Sequence, residues 1–233
     1  MKKYFFTIII LFFISYSNFA QSAGINFTLG FPSSEFKDNL KRTGIGINGN
    51  FLFWNPTPIL PFSAGIDISY YNYGSETRRE PFNPSTPDVS IDVDRTNNLV
   101  NFHVLFQIAP PIVGPIQPYI EALFGGAYFY TRTSVNNLDN EELASETNFD
   151  DWAWSYGGGG GFLISLFSDP TGQVGSVFLD LKVRYLYGSE AEYLKEGSVT
   201  INNGQVNYDV SKSKTDVLSA HIGAVVYFNS LFN

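Results

Sequence analysis

The chain has 233 residues, of which 44% are hydrophobic, 17% aromatic and only 15% charged, with 21 Gly, 12 Pro and no Cys. This composition excludes disorder, a coiled coil and a disulfide-stapled scaffold, and a formal charge of -8 argues against a nucleic-acid partner. The length allows one all-β domain or two small domains and is ample for a buried core.

At the start, Lys2 and Lys3 precede an apolar run from Tyr4 to Ile14 and the short segment Asn18-Phe19-Ala20. That is the pattern of a secretory signal, residues 1–20, with cleavage expected after Ala20. The run is shorter than the roughly 20 residues a spanning helix needs. Removing the two lysines leaves 12 basic and 22 acidic groups in residues 21–233, the expected barrel domain. An exported chain without Cys suits a diderm bacterial envelope, and with no Cys a lipid anchor is not expected.

Beyond Ala20 the recurring signal is alternation. In 62–70, Phe-Ser-Ala-Gly-Ile-Asp-Ile-Ser-Tyr places apolar residues at even positions and small or polar ones at odd positions, the mark of a strand with two unlike faces. The same rule predicts strands over 24–31, 44–54, 98–109, 119–133, 151–167, 176–188 and 216–228, giving eight in all. In the last, Leu218, Ala220, Ile222, Ala224, Val226 and Phe228 share one face, and Ser219, His221, Gly223 and Tyr227 the other.

The connections alternate in length. Three are short (55–61, 110–118 and 168–175) and hold eight of the 12 prolines; four are long (33–43, 75–97, 134–150 and 189–215) and all open on one end. No proline falls inside a predicted strand interior, where it would remove a ladder donor. The four long connections carry 25 of the 34 charged residues of 21–233, and the charges left in mid-strand, Asp67, Glu121, Asp180, Lys182 and Arg184, all fall on the polar face. A soluble barrel hides its apolar face; here the aromatic-rich face is the larger and the ionic face the smaller, which is the pattern of a lipid-facing barrel. Tyr70, Tyr128, Tyr130, Trp152, Trp154, Tyr185 and Tyr187 gather at the long-loop end of the apolar face, and Phe53, Phe62, Phe106, Phe162 and Phe228 toward the other, as two interfacial girdles. The fold expected is therefore all-β: an eight-stranded antiparallel up-and-down transmembrane β-barrel, with short periplasmic turns and long extracellular loops.

On these features the chain resembles the eight-stranded outer-membrane β-barrels of the OmpX and OmpA transmembrane-domain type. The resemblance covers residues 24–228. It includes the ending His221-Ile222-Gly223-Ala224-Val225-Val226-Tyr227-Phe228, which looks like the family's assembly signal, with His221, Gly223, Val226 and Phe228 as its marked positions. Asn229 to Asn233 extend past the aromatic residue at which many members stop. What the resemblance implies is an outer-membrane location, lipid and the barrel assembly machinery as partners, and no cofactor.

Eight strands enclose an interior that side chains fill, which excludes a wide pore. Parity places Asp67, His103, Glu121, Asp180, Lys182, Arg184 and His221 in that lumen, with Asn48, Asn50, Asn101 and Gln107 around them. Opposite charges there must pair, and glycines Gly157, Gly159 and Gly161 leave room for Arg184 or Lys182 to reach Glu121. A packed ion-pair plug is the expectation; a narrow path for ions or small solutes is the alternative. The two histidines face inward at mid-strand, so neither a catalytic residue nor a metal site is expected. Acidic Asp139, Glu141, Glu142, Glu146 and Asp150 lack the spacing of a calcium loop. Asn202-Asn203-Gly204 between 198–201 and 205–210 signals a hairpin above the membrane. The function expected is structural or surface-interacting, acting through the extracellular loops.

Overall fold

The computed structural model describes residues 21–54, 56, 59–83, 86–110, 114–136, 142–168, 175–202 and 205–228. The signal segment, Asn229 to Asn233, Asp139, Glu141 and the Asn203-Gly204 pair lie outside the described residues. The elements in chain order are β1 Gln21–Pro32, α1 Ser34–Asn39, β2 Gly44–Leu52, β3 Phe62–Asn83, β4 Thr86–Ile108, β5 Ile116–Asn136, β6 Glu142–Ser168, β7 Ser176–Gly188, β8 Glu190–Tyr193, β9 Val199–Asn202, β10 Gln205–Tyr208, β11 Ser211–Lys214 and β12 Val217–Phe228.

Eight of the strands close into a ring in the order β1-β12-β7-β6-β5-β4-β3-β2. Every ladder is antiparallel, and the seam is made by the first and last strands, from Gln21 opposite Phe228 to Pro32 opposite Val217. Closure leaves no edge strand within the ring, so backbone donors and acceptors are satisfied without water. All eight expected strands are present. Among the described residues no helix is long and apolar enough to cross a membrane.

Alternation sorts the two faces as the residues demand. Ile25, Ile47, Phe102, Ile120, Phe124, Val183 and Ile222 stand outward and exposed, whereas Asn26, Asn48, Asp67, Asn101, His103, Lys182, Arg184 and His221 are buried inside. Trp152, Trp154, Tyr156 and Tyr187 are exposed at the outer rim, with Tyr128 and Tyr130 stacked at 5.5 Å between ring centres. Phe53, Phe62, Phe106 and Phe162 are exposed toward the short-turn end.

Three expectations are corrected. The stretches 75–97 and 134–150 are not simple loops: β3 pairs with β4 as far as Asn83 opposite Thr86, and β4 with β5 as far as Asp92 opposite Asn136. With β6 they form a four-stranded sheet that continues the wall past the aromatic girdle. Hydrophobic alternation does not announce it, because above the membrane both faces meet water and either can be polar. Second, prolines do enter these strands: Pro81, Pro87 and Pro118 lie in β3, β4 and β5. They sit near strand ends, and the β3 ladder shifts register between Pro81 and Asn83. Third, 33–43 contains α1, with Phe36 and the following Leu40 buried although the rest of the segment is polar.

The segment 189–215 forms two separate ladders, β9 with β10 and β8 with β11. The first is the hairpin that the Asn-Asn-Gly turn announces; the second carries no comparable sequence signal.

Candidate functional site

The strands tilt, so a row of residues that face one another across the sheet climbs around the barrel. One row starts with Leu52 at the short-turn end and runs through Gly65, Leu105, Leu123 and Gly157 to Leu186 near the outer end. The next row carries charge: Gln107, Glu121, Gly159, Arg184 and Ser219 are successive partners. Glycine between Glu121 and Arg184 is obligatory. A Cβ at Gly159 would stand 2.3 Å from Val183 O and 2.9 Å from Arg184 Cγ, occupying the space through which the arginine reaches.

Arg184 is the hub. Its Nε donates to Glu121 Oε1 at 2.6 Å and its Nη2 to Glu121 Oε2 at 3.1 Å, a bidentate pair. Its Nη1 lies 2.9 Å from Asp67 Oδ2. In the ring β7 and β3 are four places apart of eight, so this one side chain ties opposite walls together with β5 between them. Asn48 Nδ2 donates to Asp67 Oδ2 at 2.9 Å and to Ser69 Oγ at 3.0 Å, and Asn26 Nδ2 donates to Asn48 Oδ1 at 3.1 Å, which extends the network to β1 and β2.

Lys182 takes a different partner. Its Nζ is 3.0 Å from Asp180 Oδ2, two residues away on the same face, and Tyr119 Oη donates to Asp180 Oδ1 at 2.6 Å. Of the two cations considered for Glu121, the structure pairs Arg184. The histidines join neither pair directly: His103 Nε2 is 3.0 Å from Ser155 Oγ, and His221 Nε2 is 2.9 Å from Ser219 Oγ. Among the described residues no group of His, Cys, Asp and Glu converges that could hold a metal ion. Gly223, in the terminal motif, lies opposite Asn26 at the seam, where a Cβ would come 2.0 Å from Ile25 O.

Two apolar layers bracket this polar middle, and the sequence reading missed both. At the outer mouth Phe36 comes down from α1, Leu40 from just past its end and Tyr193 in from β8, onto Tyr71, Tyr73, Leu99 and Phe129. Phe36 meets Tyr193 edge to face at 5.1 Å and Phe129 at 5.8 Å. At the short-turn end Ala109, Tyr119, Leu163, Phe178, Val225 and Tyr227 cluster inside. A cavity of about 20 Å³ lies under the outer layer and one of about 10 Å³ beside Asn50, Gln107, Glu121 and Asp180, each near the size of a single water. Asn50 Oδ1, which has no protein partner, lines the second.

Above the girdle a separate set of contacts holds the outer segments down. Glu196 pairs with Arg42 and accepts from Ser75 N at 3.0 Å; Glu76 pairs with Arg78 and accepts from Gly197 N at 3.1 Å. Burial alone would raise the Glu76 carboxyl, but the Arg78 and Gly197 hydrogen bonds and the charges of Arg78 and Arg95 hold it below its ordinary value. These contacts, with Arg78 Nη1 donating to Val199 O at 3.2 Å, tie 196–199 to the start of the β3 extension, where β3 has no β2 partner among the described residues. On its β7 side, 142–150 of β6 has no partner strand among the described residues.

A closed antiparallel ring, apolar outside, ionic inside and girdled by aromatic residues, defines an integral outer-membrane β-barrel protein. No family model and no curated protein matches the chain. Among solved structures it is similar to Neisserial surface protein A, NspA, at 17% identity over 91% of this chain and 97% of that one, with a TM-score of 0.42. It is similar also to the outer membrane protein OprG from Pseudomonas aeruginosa, at 14% identity over 91% and 97%, TM-score 0.39. A third is Ail, the attachment invasion locus protein of Yersinia pestis, at 15% identity over 90% and 97%, TM-score 0.33.

Proposed function

We propose that the chain is a surface-interaction scaffold: a sealed barrel that fixes an extracellular sheet in the outer membrane for contact with a partner. The observation that carries this reading is the triple closure of the lumen, by the outer aromatic layer, the Arg184 brace and the inner apolar layer, set beside a sheet that rises well past the girdle. A conducting path has to pass all three layers. The rising sheet needs no transport role to explain it.

The unpartnered stretch of β6 is where a partner meets backbone donors and acceptors. Glu146 and Asp150 are exposed along it, and 133–168 contains no Lys or Arg. Such an edge repels a second acidic strand and favours a basic one.

The test is planar-bilayer recording of the refolded mature chain, joined to an adhesion assay on cells that display it. The expected result is no steady conductance above leak, with adhesion lost when 76–95 and 134–149 are cut to short turns. Steady channel steps, or adhesion indifferent to that trimming, would overturn the reading and favour a narrow solute channel.

A further inference from the structure

We propose that the groove beneath α1, at the outer rim of the seam, binds the phosphate-bearing headgroup of an outer-leaflet lipid. The groove is an open concavity of about 900 Å³ lined by Phe31, Pro32, Leu218 and Leu40 and by Ser33, Ser34, Lys37, Asp38, Lys41 and Thr43. Its lower wall continues the lipid-facing surface: Phe31 and Leu218 are outward, exposed cross-strand partners of β1 and β12. Its height is set by Ser34 Oγ, 3.4 Å from the hydroxyl of Tyr185, a residue of the outer girdle. An acyl chain lying along Phe31 and Leu218 therefore brings its headgroup to the level of α1.

Charge selects the headgroup. The outer segments carry 16 acidic and 9 basic residues, yet here Lys37 and Lys41 are exposed with no ion-pair partner among the described residues, whereas nearby Arg42 is held by Glu196 and the Glu35 carboxylate accepts from Lys214 N. Asp38 is the one opposing charge in the lining, against two ammonium groups and the hydroxyls of Ser34 and Thr43, the Ser33 hydroxyl donating instead to Phe31 O. Two cations and hydroxyl donors above an apolar wall match a phosphate joined to acyl chains. Neither a neutral headgroup nor a free peptide matches both halves.

The experiment places the mature chain in phosphatidylcholine nanodiscs doped with bisphosphorylated lipid A and measures retained lipid A by native mass spectrometry. Near an anionic surface each lysine contributes about a fivefold change in binding, so Lys37→Gln should lower retention about fivefold and Lys37→Gln with Lys41→Gln about 25-fold. Lys37→Arg with Lys41→Arg should restore it, and Lys212→Gln should change nothing. Unheated gel mobility confirms that each variant is folded. Unchanged retention in the double glutamine variant, or equal retention of dephosphorylated lipid A, would overturn the proposal. Displacement of lipid A by an equal concentration of inorganic phosphate would assign the lysines to a soluble anion and overturn it as well.

Discussion

Replacing Arg184 with Met removes one cation from between two carboxylates, and the lumen geometry makes the cost asymmetric. Arg184 and Asp67 have 1% and 0% of their side chains exposed, so water cannot stand in for either. Glu121→Gln leaves Arg184 still 2.9 Å from Asp67, whereas Arg184→Met strands both Asp67 and Glu121. A buried charge left without its partner costs about 3–5 kcal/mol, which sets the expected loss for Arg184→Met. Glu121→Gln, with one partner remaining to the arginine, should cost about 1–3 kcal/mol. The double variant should lose less than the sum of the two, by about 1–3 kcal/mol, because the second change removes a charge the first had already left alone. Glu121→Gln with Lys182→Met should be additive, since Lys182 is held by Asp180. The assay is reversible urea unfolding in lipid bilayers, followed by tryptophan fluorescence and gel mobility. Additivity of the Arg184 cycle within about 0.5 kcal/mol would refute the brace, and strong coupling to Lys182 would refute the pairing.

Two other outcomes follow from the same geometry. Val183 points to lipid with 53% exposure, near the middle of β7, so Val183→Arg should destabilise by about 2–4 kcal/mol in the same unfolding assay, and a neutral result would place the bilayer elsewhere. Because the Glu76 carboxyl is held below its unfolded value of roughly 4.3, its contribution is complete above that pH and is lost as pH falls through the lower folded value. Acidification toward about pH 3 should therefore lower the protection of Gly197 N–H, taken as exchange relative to the intrinsic amide rate at each pH, while the barrel ladders stay protected, and a protection at Gly197 that does not change with pH would show that Glu76 does not clasp the outer segment.

How much of this was legible depends on where a period of two has a physical cause. Between the girdles one face meets lipid and the other the lumen, so Ile66, Asp67, Ile68 and Ser69 betray their faces at once. Above the girdle that cause is gone, and Ser75 to Arg78 read as loop although their backbone stays in the ladder. Parity placed Arg184, Lys182, Glu121 and Asp67 inside but could not choose partners, because the choice depends on tilt: Gly159 lies between Glu121 and Arg184 in one row, while Tyr119 and Gly161 stand in the row of Lys182. The pairing of Lys182 with Asp180 did have a signal, since residues two apart in a strand share a face. Phe36 and Leu40 stand four apart in an otherwise polar stretch, the one hint that α1 would form and face inward.

The Arg184 brace also gathers the charge balance of the lumen onto one strand. Asp67 and Glu121 belong to β3 and β5, and the cation that neutralises both arrives only with β7. Among the described residues both buried lumen cations, Lys182 and Arg184, belong to β7, so a ring closed without that strand would force the two inward carboxylates into a dry interior uncompensated. The electrostatic balance of the closed wall thus rests on one strand, the neighbour of the seam-forming β12.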